Sequence, residues 1–109
     1  MKRYLPLFID LENKNILIVG GGKVAYQKIR TLIKFTSNIF VVSPKTIPLI
    51  KKLKLNYIQK KYSPKDLINK HLVYACTDNG PLNQKIKKDA KKKKIPVNVA
   101  DDIAKCDFI

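Results

Sequence analysis

The residues "NILIVGGGKVAYQKIR" (15–30) constrain the fold more than any other stretch of the chain. Four aliphatic residues, Ile16 to Val19, run directly into Gly20, Gly21 and Gly22, and a helix-like pattern follows at once. A strand that is apolar on both faces belongs inside a parallel sheet, where helices cover each side. Gly20, Gly22 and Ala25 match G-x-G-x-x-A between such a strand and such a helix. Gly20 permits the sharp turn, Gly22 lets the backbone approach a pyrophosphate, and Ala25 lets the helix pack closely on the sheet. An anion there would meet unpaired N–H groups and the positive end of the helix dipole, with Lys23 in the first turn. No Gly-Lys-Ser/Thr closes the loop, so it is not a Walker loop. A plain tight turn would satisfy the same spacing. Its place after the first strand of an alternating chain favours a dinucleotide.

That alternation runs to the end of the sequence. Residues 38–42 and 71–77 read as further strands, 95–99 as a fifth, and 55–62 as a weaker one toward an edge. Helices are expected over 23–35, 46–53 and 78–94, with another starting at Ser63 as N-cap with Pro64 at the first position. Ala25, Ile29, Leu32 and Ile33 form the apolar stripe of the first helix, and Leu82, Ile86 and Ala90 that of the last. The tail "ADDIAKCDFI" shows no clear element. The expected fold is α/β: a Rossmann-like, doubly wound, mostly parallel sheet of about five strands, one domain over residues 1–109.

Composition removes several alternatives. No apolar run approaches the ~20 residues that cross a bilayer, and "MKRYLPLFID" is too short and broken in its apolar part for a signal peptide. Cys76 and Cys106 make neither a disulfide framework nor a CxxC site and read as reduced thiols of a cytoplasmic protein. The net charge of +15 is almost all lysine, beside many Ile and Asn residues, a pattern that codon drift also produces. Such a surface steers anionic partners without recognising them.

In a doubly wound sheet, ligands lie beyond the carboxyl ends of the strands. Those ends are Gly20–Gly22, Ser43–Lys45, Thr77–Asn79 and Ala100–Asp102. An NAD site usually carries an acidic residue after the second strand to bind the ribose hydroxyls. Here Ser43 could hydrogen-bond a ribose while Lys45 would tolerate a 2′-phosphate, which leaves NAD against NADP open. Thr77 and Asp78 either line the nicotinamide half or cap the next helix. His71, the only histidine, precedes the fourth strand at the opposite edge. With no usable histidine, no Ser-His pair and no metal-ligand cluster, a carboxylate is the leading proton-handling group, and Asp101 is placed to supply it.

The chain resembles the N-terminal domain of the precorrin-2 dehydrogenase family, the sirohydrochlorin-forming part of siroheme synthases. The Leu-Pro-Leu-Phe lead-in before the glycine turn, "VYACTDNGPLNQKI", and the ending "IPVNVADDIAKCDFI" carry the likeness, in the family's order and over the whole chain. The resemblance implies NAD-dependent oxidation of precorrin-2 to sirohydrochlorin, with metal insertion by some members. It implies that Asp101, in the N-V-x-D segment, is the catalytic general base. It implies cofactor contacts at Lys23 and Val24 and, after the second strand, at Pro44 and Lys45. The family continues past the Cys-Asp-Phe segment into a dimerisation region, so this chain is expected to be the cofactor-binding portion, binding the dinucleotide but turning over poorly or not at all alone, with a homodimer formed by the longer protein.

Two other readings compete. A ligand-sensing Rossmann module of the kind that gates potassium transport shares the glycine turn and the Thr-Asp-Asn segment, but normally carries an acidic ribose ligand where Ser43 stands. A nucleic-acid-binding role rests on the charge and on "KKKK" (91–94), where no aromatic residues interleave to form a stacking platform.

Overall fold

The computed structural model describes residues 2–100 and 102–109. Five strands, β1 (Ile16–Val19), β2 (Ile39–Val42), β3 (Asn56–Ile58), β4 (Leu72–Ala75) and β5 (Val97–Val99), form one sheet in the order β3-β2-β1-β4-β5. All four pairings are parallel. Helices α1 (Lys23–Leu32), α2 (Pro48–Lys51) and α3 (Gly80–Lys92) lie in the connections.

Successive side chains of a strand point to opposite faces, and β1 divides its four residues accordingly. Ile16 and Ile18 pack with Ala25, Ile29 and Leu32 of α1 and Ile50 of α2. Leu17 and Val19 pack with Ile86 and Ala90 of α3 on the other face. The result is three layers, with α1 and α2 below the sheet and α3 above it. Chain order reverses direction between β1 and β4, and this switch point opens a crevice at the carboxyl ends of the strands.

The register aligns that edge. Val19 lies opposite both Val42 and Ala75, and Ala75 lies opposite Val99. Gly20, Ser43, Cys76 and Ala100 therefore end their strands in one row. Backbone bonds hold the row: Gly20 N–H to Val42 O at 3.0 Å, Cys76 N–H to Val19 O at 2.8 Å, and Ala100 N–H to Ala75 O at 3.0 Å.

Several expectations need correction. Ile33 leaves the apolar stripe and is exposed, because α1 stops at Leu32 and Ile33 is its C-cap. The third strand shrinks to Asn56–Ile58 at the sheet edge. The element after Ser63 is one turn of 3-10 helix, Pro64–Leu67, held where Asp66 Oδ2 accepts the Ser63 N–H at 2.8 Å. From Asp102 onward the tail takes a defined path. It makes a 3-10 turn at Ile103–Lys105 and then lies along β5. There Asp107 N–H bonds Val97 O at 2.8 Å, Val97 N–H bonds Asp107 Oδ2 at 3.0 Å, and Asn98 Nδ2 donates to Phe108 O at 2.9 Å. Covering a sheet edge in this way removes a template for pairing with another chain. Both cysteines are buried.

Candidate functional site

The glycine turn is shaped by its neighbours on both sides. Gly20 has φ +133°, and a Cβ there would sit 2.6 Å from the Cys76 carbonyl oxygen. Gly21 is the tightest of the three. A Cβ would run into the Lys45 carbonyl oxygen and come within 2.8 Å of the Ser43 and Thr46 hydroxyls. Ile47 N–H also bonds Gly21 O at 2.9 Å, so the loop after β1 is fastened to the loop after β2. Sequence spacing assigns Gly21 no role, since it fills a variable position of the motif. The signal was the absence of any side chain in the triplet.

Gly22 differs in kind. It is the N-cap of α1 in extended backbone (φ −100°, ψ −161°), is exposed, and a Cβ built there meets nothing within 4 Å. No side chain caps α1, and no acidic residue stands in its first turn. The first backbone bond into the helix is Tyr26 N–H to Gly22 O. A helix start left open in this way presents N–H groups and positive dipole to an anion. Lys23 is exposed at the first helical position and Val24 half-buried beside it. Open space over Gly22, an uncapped helix and a neighbouring cation fit a dinucleotide diphosphate.

After β2, Ser43 is only 6% exposed, and its hydroxyl donates to the Lys45 carbonyl oxygen at 2.5 Å. Its proton is thus engaged within the loop, which leaves the oxygen as an acceptor. Pro44 and Lys45 are exposed, and in the same loop Thr46 Oγ1 is buried without a hydrogen-bond partner among the described residues.

After β4, a polar knot fixes the chain. Thr77 Oγ1 donates to Asn83 Oδ1 at 2.5 Å and accepts from Asn79 N–H at 3.2 Å, while Asn83 Nδ2 returns a bond to Thr77 O at 3.0 Å. Asn79 Oδ1 caps α3 by accepting the Leu82 N–H at 3.0 Å. The Thr77 hydroxyl takes part in the turn before α3. Asn83, buried at 7% exposure, positions the loop. Its sequence signal was only a place in the resemblance, because a polar residue on the helix stripe gives no periodic pattern. His71 stands at the other end of the strands, exposed, with Nδ1 accepting the Asn15 N–H at 2.9 Å.

After β5, Asp101 lies outside the described residues. Cys106 Sγ accepts the Val99 N–H and donates to Val99 O, both at 3.2 Å, and lies 3.4 Å from Asp102 O. Ala100 and Asp102 line a cavity of about 420 Å³ together with Gly80, Asn83, Gln84 and Lys105. Asp102 pairs with Lys105 at 3.2 Å. Glycine turn, β2 loop, Thr77 and this cavity thus share the carboxyl edge of one sheet.

A family model described as "Putative NAD(P)-binding" matches residues 7–109. The chain belongs to this family. It is 37% identical over 110 residues to the siroheme synthase of Actinobacillus pleuropneumoniae serotype 3, a match over 97% of this chain and 23% of that protein. The siroheme synthase of Blochmanniella floridana is 43% identical, over 98% of this chain and 24% of the relative. Among solved structures, "SirC, precorrin-2 dehydrogenase" superposes with a TM-score of 0.81 at 26% identity, over 88% of this chain and 50% of that one. The chain thus spans about a quarter of the length of the curated relatives it matches. Fold, family and the NAD(P) cofactor class agree with the glycine turn. No helix among the described residues is long and apolar enough to cross a membrane.

Proposed function

We propose that this chain is the dinucleotide-holding part of an NAD-dependent dehydrogenase that oxidises precorrin-2 to sirohydrochlorin. The observation that supports it most is the gathering, at one sheet edge, of an open helix start, a fastened glycine turn and the loop around Ala100. This occurs in a chain similar to siroheme synthases over nearly its whole length.

The bound nicotinamide supplies the acceptor for the hydride that leaves the tetrapyrrole. The N–H groups at the start of α1, with Gly22 and Lys23, hold the diphosphate. Gly20 and Gly21 allow that turn to close against β4 and the β2 loop. Val24, Ser43, Pro44 and Lys45 border the adenosine half, and Thr77 borders the other. Asp101 takes the proton lost with the hydride, a role worth roughly 10²–10⁴ in rate. Val99 and Asp102, before and after it in the chain, are both tied to Cys106. The substrate is a polycarboxylate, and a surface of net charge +15 raises its local concentration. A second copy of the longer protein is the expected protein partner.

The test mixes precorrin-2 and NAD⁺ with the chain and with a version extended past Ile109, and follows sirohydrochlorin and NADH by absorbance. The expected result is dinucleotide binding by both and, from the extended version, equal amounts of the two products, with Asp101→Asn slower by about 10²-fold or more. Equal rates for the extended version and its variant would remove Asp101 from the role of base. Dinucleotide binding without any tetrapyrrole oxidation by the extended version would overturn the assigned reaction.

A further inference from the structure

An all-parallel sheet is ordinarily covered on both faces, and here one face is covered only in part. On the face of Leu17 and Val19, helical cover comes from Ile86 and Ala90 of α3 and from Leu67 of the 3-10 turn. On the face of Ile16 and Ile18, the buried helical residues all belong to α1 and α2, which lie in the β1–β2 and β2–β3 connections. Over β4 and β5 that second face carries aromatic side chains instead. Tyr74 of β4 and Phe108 of the tail pack against its cluster, edge to face with ring centroids 5.4 Å apart, and both remain half-buried.

The start of the chain is anchored to the same parts of the molecule. Lys2 Nζ donates to Cys106 O at 2.7 Å, two residues before Phe108, and Leu11 packs against the cluster of Ile16 and Ile18. Between these anchors, residues 4–9 form neither helix nor strand. Leu5, Leu7 and Phe8 are 81%, 71% and 103% exposed. Apolar residues scattered singly over a surface are ordinary, whereas a contiguous exposed run marks a contact site. In a chain with 23 Lys and Arg residues, positions 4–9 carry no charge at all, so the contact they fit is apolar rather than ionic.

The relatives and the path of the tail indicate the occupant. This chain spans 23% of one siroheme synthase and 50% of "SirC, precorrin-2 dehydrogenase", so proteins that share the sheet carry at least as much chain again outside it. Asn98 Nδ2 holds Phe108 O at 2.9 Å, and Phe108 meets Tyr74, so residues joined after the exposed Ile109 would begin beside the incompletely covered face. We propose that residues 4–9, together with Tyr74 and Phe108, form the seat of the region that follows Ile109 in the longer protein. That region completes the cover of the parallel sheet. This surface is separate from the dinucleotide edge and does not depend on the assigned reaction.

Hydrogen exchange read by mass spectrometry, on the chain and on a version extended past Ile109, each at two concentrations, tests this. In the chain the amides of residues 4–9 should exchange fast, as backbone outside regular structure does. In the extended version they should slow by about tenfold or more at both concentrations. Phe8→Asp should leave the urea midpoint of the chain unchanged, because that side chain meets solvent, but should lower the midpoint of the extended version and restore fast exchange there. Leu5→Ser, a milder change at the same surface, should weaken the protection in the same direction, and Phe8→Leu should keep it. Equally fast exchange in chain and extended version overturns the proposal. Protection in the chain itself that rises with concentration assigns the surface to a second copy and overturns it too. So does an extended Phe8→Asp version whose midpoint and protection are both unchanged.

Discussion

Three adjacent glycines do three different things, and single methyl groups separate them. At Gly21 an added Cβ collides with the Lys45 carbonyl, a backbone atom that cannot rotate away. Gly21→Ala should therefore cost about 1–3 kcal/mol of stability by overpacking, measured as a lower urea midpoint. Gly22→Ala meets nothing within 4 Å and occupies ordinary extended backbone. It should keep the unfolding midpoint and weaken dinucleotide binding, because the new methyl would stand where the proposed diphosphate approaches. The G-x-G-x-x-A spacing made Gly20 and Gly22 legible in the sequence. It could not reveal Gly21, whose constraint comes from a loop more than twenty residues away. Asn83 was hidden for a similar reason: its partners, Thr77 Oγ1, N–H and O, are set by the fold. Asn83→Ala leaves the Thr77 N–H and carbonyl oxygen without these bonds in a half-buried loop, while the Thr77 hydroxyl keeps Asn79, and should destabilise by about 1–3 kcal/mol, with Thr77 losing its protection from hydrogen exchange.

Among the elements, strands were easier to read than their ends. Aliphatic runs identified β1, β2, β4 and β5 because burial on both faces demands continuous apolar side chains. The stretch over 55–62 is polar and basic, and only Asn56–Ile58 pairs with β2. The tail gave no periodic signal at all, since it is held by side chains rather than by a regular ladder. Asp107 is its main clamp. Burial pushes its carboxyl upward, but the Lys87 ammonium at 2.8 Å and the Val97 N–H outweigh this and hold it below the ordinary value of 3.8. A group lowered in the folded state stabilises above its unfolded pKa, and the contribution disappears as pH falls through the folded value. The stability difference between the chain and Asp107→Asn should accordingly be full at pH near 6 and close in acid, below about 3.8. A gap that persists unchanged in acid would mean that Asp107 acts through shape alone.

For the whole molecule, alternation of apolar runs and helices was enough to give a five-stranded parallel sheet, because few topologies satisfy right-handed connections with buried faces. The order β3-β2-β1-β4-β5 then places the switch point beside the glycine turn without further instruction. The net charge acts at this scale too. Attraction of a cationic protein for an anionic ligand is long-ranged in dilute salt and short-ranged in strong salt, where the screening length falls from about 10 Å at 0.1 M to about 3 Å at 1 M. Dinucleotide affinity should weaken several-fold across that range, while the unfolding midpoint changes far less.

The central claim is that a dinucleotide lies along the carboxyl edge with its diphosphate over the start of α1. Amide NMR spectra of the chain titrated with NAD⁺ test it most directly. The largest shifts should fall on Gly20 to Ala25, on Ser43 to Thr46, on Thr77 and on Ala100, with His71 and Asn15 at the opposite edge unmoved. Shifts concentrated on His71, Asn15 or the lysines of α3, with the glycine turn silent, would contradict it.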